Sequence, residues 1–224
     1  MPKPLHGWRE FAGEVGIIVI GVLIALGAEQ VVEEIHFRNA VASERMALHE
    51  ALRDELAEPA GRLTQEPCIR RRLDELLIVF RRHKSGVPLG TVGFVGVPAV
   101  VGNSTDAWST AAGGETLDHM KLDERLELGH DFAGLATMRS SLLEEAHVWD
   151  ELRRLDHPDI LEADDWPQLR AAYSDALAWD DRNVFFARWV LKYDTEGEKP
   201  DGPTLQKLRS KGSVRALCEP LLAS

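Results

Sequence analysis

Hydrophobic positions near the N terminus form one unbroken run, whereas those after it recur with helical spacing. Residues 15–28 read Val-Gly-Ile-Ile-Val-Ile-Gly-Val-Leu-Ile-Ala-Leu-Gly-Ala and carry no charge. As a helix they span about 21 Å, less than the roughly 30 Å hydrocarbon core of a bilayer. The wider window 11–32 spans about 33 Å and admits only Glu14 and Glu29, near its ends. The pattern predicts a transmembrane helix over residues 15–32.

Two other interpretations of this run stay open. A cleaved signal peptide is one, because Ala25-Leu26-Gly27 resembles a small-x-small cleavage site. Against it, Glu10 and Glu14 offset the charges of Lys3 and Arg9, whereas a signal peptide has a positive N-terminal region. The other is a buried helix of a soluble domain, although a helix apolar on every side is hard to place there.

The charges flanking the run predict the orientation of the chain. Lys3, Arg9 and the terminal amine precede it, whereas the first residues after it are acidic. We therefore expect residues 1–14 to form a short cytoplasmic tail in a bacterial inner membrane. Residues 33–224 then form an external, periplasmic domain.

The external residues show helical stripes throughout, so the predicted fold class is all-α. Residues 29–57 contain neither proline nor glycine and predict a stalk that continues the membrane helix, with Pro59 and Gly61 ending it. The next helix, 68–83, is expected to lie antiparallel to the first. Its arginines are interpreted as a solvated face: Arg70, Arg71, Arg72, Arg81 and Arg82.

Residues 85–104 differ in kind, since they combine glycines, prolines and six valines. This composition predicts an apolar loop that folds back on the helices, with partner docking as the second interpretation and a short hairpin as a third. Asn103-Ser104-Thr105 matches a glycosylation sequon but is interpreted as a cap for a short helix at 106–112.

The second half of the chain predicts a helical bundle. Residues 122–155 carry a buried-side stripe made of Leu128, Phe132, Leu135, Leu142, Ala146 and Trp149. A further helix runs from Asp165 to about Tyr193. After a linker at 197–203, two short helices are expected at 204–210 and 214–222.

Composition narrows the classes of partner. The net charge is −11 and no basic stripe is present, so nucleic acid is not expected as a partner. Cys68 and Cys218 are the only cysteines, which excludes a disulfide-rich scaffold. They could form one bridge in an oxidising compartment or remain two unpaired thiols.

Two stretches together resemble a bacterial family of single-pass membrane proteins known only as a domain of unknown function. The first is Gly13-Glu14 followed by the apolar run with Gly21 and Ile24-Ala25-Leu26. The second spans Ala107-Trp108, Gly113-Gly114, Leu117, Met120, Leu122 and Arg125-Leu126. The resemblance implies a membrane anchor and a helical fold, and it implies no activity.

Signatures of chemistry are weak. Three Glu-x-x-His pairs have the spacing used in di-iron bundles: Glu33/His36, Glu127/His130 and Glu144/His147. Two of them lie about 25 Å apart on one helix and cannot share a metal, so we interpret all three as surface pairs. The sequence contains no Gly-x-Ser-x-Gly, P-loop or Gly-x-Gly-x-x-Gly motif, so no catalytic, cofactor or metal residue is assigned.

The more specific candidate is a small-residue face of the membrane helix. Gly21, Ala25 and Ala28 lie within about 40° of Glu14 around a helix of 3.6 residues per turn. Small residues let transmembrane helices approach closely, whereas the alternative for Glu14 is contact with the interface alone. We expect a non-enzymatic membrane subunit that contacts lipid and assembles with itself or another envelope protein. A periplasmic enzyme or metal- or ligand-binding domain is the alternative, and a ligand-sensing bundle the third.

Overall fold

The chain folds almost entirely into α-helices. The computed structural model describes residues 7–100, 106–193, 202–203, 206 and 212–222. Within them the only strand-like pairing is one isolated antiparallel bridge between Val92 and Leu222. The all-α fold class is therefore confirmed.

Six α-helices and three 3₁₀ turns have defined bounds among the described residues. The helices are α1 (Trp8–Glu55), α2 (Ala57–Lys84), α3 (Ala107–Ala112), α4 (Leu122–Leu152), α5 (Asp165–Tyr193) and α6 (Gly212–Cys218). The 3₁₀ turns cover Thr116–His119, Arg153–Asp156 and Pro158–Ile160. The predicted cap at 103–105 lies outside the described residues, as does the predicted helix at 204–210 apart from position 206.

The junction of α1 and α2 corrects the predicted stalk. Leu56 keeps helical torsions (φ −63°, ψ −16°), and its N–H donates to the Leu52 carbonyl at 3.0 Å. The Ala60 N–H in turn donates to the Leu56 carbonyl at 3.3 Å, so the helix continues through the junction. The prediction that Pro59 and Gly61 end the helix, and that the next helix returns antiparallel, was wrong. The only interruption is a turn at Leu56, and Pro59, which has no N–H, removes a single helical hydrogen bond without ending the helix.

The other long helices pack alongside this continuous α1–α2 rod. Three ion pairs join α1–α2 to α4, and the residue numbers of their partners increase together along both: Arg45–Glu124, Glu58–Arg139 and Arg62–Glu145. Helix α4 is therefore parallel to the rod. Helix α5 runs the opposite way, because its Trp166 packs against Phe80 of α2, whereas its Val190 belongs to the same core cluster as Val41 of α1.

This arrangement explains the apolar loop. A chain that ends α2 at one end of the bundle and begins α4 at the other must return along the bundle's length. Arg82 donates to the Leu89 carbonyl at 3.0 Å, and Ala99 pairs through its N–H and carbonyl with the side chain of Gln65. Val95 is fully buried. The described part of the loop thus packs on the helices, as its valines predicted.

Two core clusters lie one beyond the other along the bundle. The first joins the end of α1 to α3, the start of α4 and the end of α5, and the second joins α2 to the end of α4, the start of α5 and α6. The predicted α4 stripe is confirmed for five of its residues: Leu128, Phe132, Leu135, Leu142 and Trp149. Ala146 is only half-buried, and its neighbour Glu145 is enclosed instead.

The C-terminal segment is held on α2. The α6 helix ends at Cys218, so the predicted helix to Leu222 was too long. Arg72 is 1% exposed, and its Nη2 donates to the carbonyls of Ala216, Leu217 and Glu219 at 2.5–3.2 Å. The prediction that Arg72 lies on a solvated face was therefore wrong, because a segment about 145 positions further along the chain covers it. Cys68 and Cys218 are joined by a disulfide.

Candidate functional site

The largest uncovered apolar surface is the first half of α1. Its isoleucine, valine and leucine side chains between positions 15 and 35 are 41–73% exposed. It is the one helix in the described part of the chain long and apolar enough to cross a membrane, with a mean hydropathy of 2.3 and no buried residue in its most apolar window. From residue 11 onward, the first buried side chain is Val41. The stretch 11–36, before the first contact with the folded domain at Phe37, is therefore about 39 Å long, longer than the roughly 30 Å hydrocarbon core of a bilayer.

The predicted helix–helix face lies within this uncovered stretch. Glu14, Gly21, Ala25 and Ala28 are all exposed, and a Cβ atom added at Gly21 would meet no heavy atom within 4 Å. The four positions share one side of the helix because α1 is regular from Trp8 onward. No other described element of the chain packs there, so the face is open to lipid or to another helix.

A polar cavity lies where α1 enters the folded domain. The 3₁₀ turn at 116–119 packs against α1, and the rings of Phe37 and His119 stack with their centroids 3.5 Å apart. Arg45 forms a bidentate pair with Glu124, in which Nη2 donates to Oε2 at 2.6 Å. A cavity of about 320 Å³ opens between these elements. Its lining residues are Glu34, Phe37, Arg38, Val41, Ala42, Arg45, His119 and Lys121.

An enclosed ionic cluster connects the three long helices at mid-height. Arg62 of α2 is 1% exposed, and Glu145 of α4 and Asp180 of α5 are fully buried. Arg62 Nη2 donates to Asp180 Oδ1 at 2.5 Å and to Glu145 Oε1 at 3.2 Å. Asn183 adds a hydrogen bond from Nδ2 to Glu145 Oε2 at 2.7 Å, and Ser141 donates to Asn183. One buried guanidinium of α2 thereby contacts two buried carboxylates, one from each of the other two long helices.

The ionisation of this cluster is perturbed. Burial raises the pKa of Asp180 to about 6 despite the opposing influence of Arg62, and Glu66 nearby raises it further. Burial alone would lower the pKa of Arg62, but Glu145 and Asp180 outweigh it and raise that pKa. At Glu66, hydrogen bonds led by the one from Arg70 outweigh burial and lower the pKa. Since the three central side chains are closed to solvent, the cluster holds helices together and offers no surface to a substrate.

Sequence reasoning missed this cluster, although a signal was present. The buried stripe of α5 recurs every three or four residues: Trp166, Leu169, Ala172, Ala176, Asp180, Asn183, Ala187 and Val190. Asp180 and Asn183 lie in phase with apolar positions. Polar residues in phase with a buried stripe indicate polar partners on the facing helices.

The three Glu-x-x-His pairs do not converge. All six side chains are exposed: Glu33, His36, Glu127, His130, Glu144 and His147. Among the described residues, no three histidine, cysteine, aspartate or glutamate side chains are grouped closely enough to hold a metal ion. The three pairs therefore lie on the surface at separate places, as the sequence predicted.

Comparisons of the chain with protein-family models, curated proteins and solved structures find no match.

Proposed function

We propose that this protein is a single-pass, membrane-anchored subunit of the bacterial cell envelope. The observation that carries the proposal is the uncovered apolar stretch of α1, which protrudes from a domain whose cores are complete without it. Burying its nine strongly apolar residues in a bilayer contributes roughly −3 to −5 kcal/mol of insertion free energy. Water offers no comparable environment for a helix that is apolar on every side.

The orientation proposed is a cytoplasmic N terminus and a periplasmic domain. Lys3 and Arg9 before the apolar stretch, and a following segment at 28–37 that contains no Lys or Arg, support it, because positive charge favours the cytoplasmic side. The Cys68–Cys218 disulfide also supports it, since the periplasm is oxidising and the cytosol is reducing.

The role proposed within the membrane is assembly without catalysis, with a second copy or another envelope protein. Gly21, Ala25 and Ala28 present small side chains on one face, which lets a second helix approach closely. Glu14 shares that face, and an acid inside a membrane generally contacts protein. The chain's own fold leaves this face open, as an assembly surface requires.

Crosslinking in native membranes tests the proposal. Gly21→Ile introduces a branched side chain where helix backbones approach and should abolish the crosslinked species without impairing insertion, because isoleucine is at least as apolar. The matched control is Gly16→Ile, the same substitution about 140° away from Gly21 around the helix, which should leave the crosslinked species intact. Extraction with alkali should leave both variants in the membrane. If Gly21→Ile leaves the crosslinked species unchanged, this face does not mediate assembly.

A further inference from the structure

The small-residue face of α1 continues beyond the membrane as a regular line of exposed positions. These positions recur in alternating steps of four and three from Glu14 to Met46: 14, 18, 21, 25, 28, 32, 35, 39, 42 and 46. All ten side chains are exposed. A repeat of 3.5 residues is the spacing of the core positions of a left-handed coiled coil. We call this line of positions the α1 seam.

The folded domain leaves the seam uncovered because it packs on the opposite side of α1. Val41, Leu48 and Leu52 are the α1 side chains buried in the first core cluster together with Ala51. At 100° per residue, Asn39 of the seam lies about 140–180° from Val41, Leu48 and Leu52 around the helix. A second helix can therefore run along the seam without displacing any described element of the domain.

Large apolar side chains of α1 that remain exposed beyond the membrane window are confined to the seam. Between position 33 and the end of α1 they are Ile35, 53% exposed, and Met46, 67% exposed. Met46 lies about 21 Å beyond Val32 along the helix, farther than the headgroup layer extends. Lipid does not reach it, so a protein surface is needed to remove it from water.

Asn39 determines which protein surface fits. It occupies the same position of the heptad as Val32 and Met46, in the middle of an otherwise apolar outer seam. An apolar side chain opposite a buried Asn39 would leave its amide without a hydrogen-bond partner. A second copy anchored in the same membrane lies parallel and at the same depth, so Asn39 meets Asn39 of the partner subunit. The two amides can then donate to and accept from each other, as at the single core asparagine that sets the register of parallel two-stranded coiled coils.

The positions that flank the seam are compatible with the same pairing. In a parallel pair, each flanking residue on one side of the core faces the residue five positions further along the partner helix. Outside the membrane window these facing positions are 31 with 36, 38 with 43, and 45 with 50. They pair valine with histidine, arginine with serine, and arginine with glutamate, so no like charges meet.

We propose that α1 forms a parallel two-stranded coiled coil with α1 of a second copy, from the membrane out to Met46, with Asn39 of both copies paired in its core. The pairing rests on the membrane anchorage and the assembly face proposed above, and it identifies the partner of that face as a second copy. The two folded domains then lie on opposite outer sides of the coiled coil, each joined to it by its own continuous α1–α2 rod.

Thiol crosslinking of the full chain in native membranes tests the pairing. Two copies with different epitope tags are expressed together, so that a crosslink between copies contains both tags. Met46→Cys should give this species several-fold more efficiently than Ala47→Cys, an exposed position about 100° away around the helix. The native cysteines are bridged and do not react in the absence of reductant.

A cysteine inside the membrane, Ala25→Cys, separates this pairing from the proposed function. If Ala25→Cys crosslinks the two tagged copies while Met46→Cys does so no better than Ala47→Cys, assembly in the membrane stands and the external coiled coil is wrong. If Ala25→Cys and Met46→Cys both give a species that carries one tag and a second protein, the partner is not a second copy. If neither gives a crosslinked species, the assembly proposed above fails and the coiled coil fails with it.

Charge at Asn39 tests its place in the core of the pair. Asn39→Asp sets two carboxylates against each other and should reduce the crosslink through Met46→Cys several-fold at neutral pH. Asn39→Leu should retain the crosslink, because an apolar side chain also fills a core position. The control Gln168→Glu makes the same amide-to-carboxylate change at an exposed position of α5 and should have no effect. Crosslinking of Asn39→Asp at the wild-type level would overturn the assignment of Asn39 to the core.

Discussion

Arg62 Nη2 donates to Asp180 Oδ1 at 2.5 Å across the contact of α2 with α5, with both side chains enclosed. The contact joins α2, which continues the apolar first helix, to α5, which runs in the opposite direction. Glu145 of the third helix completes the cluster from α4. Buried carboxylates outnumber the buried guanidinium here, and this imbalance makes the stability of the domain sensitive to pH.

Asp180 should make the domain less stable as pH rises from 5 to 7.5. Its folded pKa of about 6 exceeds the unfolded value near 3.9, so its stabilising contribution is complete below about pH 4 and is lost as pH rises through 6. Glu66, with a lowered pKa, acts in the opposite direction and only in more acidic solution. Urea unfolding of the full chain in micelles should show that wild type loses about 1–1.5 kcal/mol of unfolding free energy over this range beyond what Asp180→Asn loses.

A matched control for this measurement is Asp175→Asn on the same helix. Asp175 is exposed, so its removal should leave the pH dependence of wild type in place. If Asp180→Asn and Asp175→Asn show the same loss of stability between pH 5 and 7.5, Asp180 is not the titrating group.

Removing the guanidinium should be far more damaging than neutralising one carboxylate. Arg62→Met leaves Glu145 enclosed without its cation and Asp180 with only its ion pair to the partly exposed Arg70, and breaking a buried pair in this way costs about 3–5 kcal/mol. Arg38→Met is the control, since its pair with Glu34 is exposed on both sides and contributes at most about 1 kcal/mol. Thermal unfolding followed by circular dichroism measures both changes. Similar losses for the two variants would contradict the role of the cluster.

The Cys68–Cys218 disulfide should add substantially to the stability of the C-terminal segment. Its sequence separation is 150 residues, and the entropic model assigns about 5 kcal/mol to a loop of that length. Cys218→Ser should therefore lower the free energy of unfolding by about 2–5 kcal/mol. Peptide maps of protein alkylated without reductant check the bridge first. Recovery of both cysteines in alkylated form would show that they are not paired in the cell.

Periodicity was sufficient to predict the fold class and most of the core. The α4 stripe of Leu128, Phe132, Leu135, Leu142 and Trp149 was found because apolar residues recur with the helical repeat. The continuation of the helix past Pro59 was missed, because the sequence alone does not distinguish a proline within a helix from one that follows its end. The backbone hydrogen bonds of Leu56 and Ala60 make that distinction.

The burial of charged residues was harder to predict, because it depends on contacts between residues that are far apart in the sequence. Arg70, Arg71 and Arg72 are consecutive, yet only Arg72 is enclosed, and the carbonyls it contacts belong to α6 and the residue after it. A local pattern cannot identify a covering segment about 145 positions away. The cavity at the base of the domain was missed for the same reason, since Phe37 and His119 are 82 positions apart in the sequence.

Two glycines of the apolar loop, Gly86 and Gly96, have the same backbone conformation but different surroundings. Comparing their alanine variants distinguishes the cost of backbone strain from the cost of steric overlap with α6. Gly86 has φ +67° and open space around an added Cβ, whereas Gly96 has φ +73° and an added Cβ would lie 3.0 Å from the backbone of Leu217. Gly86→Ala should cost only about 1–2 kcal/mol, the left-handed penalty of an L-residue. Gly96→Ala should add about 1–3 kcal/mol of overpacking to the same penalty, because the backbone of α6 must move.

The readout for this pair is the free energy of unfolding together with proteolysis of the C-terminal segment. Gly96→Ala should expose residues 212–222 to protease in native conditions after reduction of the disulfide, because the loop contact and the bridge both hold that segment on α2. Gly86→Ala should leave the segment protected, because a Cβ added at Gly86 meets no atom of α6. Equal costs and equal protease sensitivity for the two variants would show that the loop does not pack against Leu217. The valines of that loop would then require another surface to cover them.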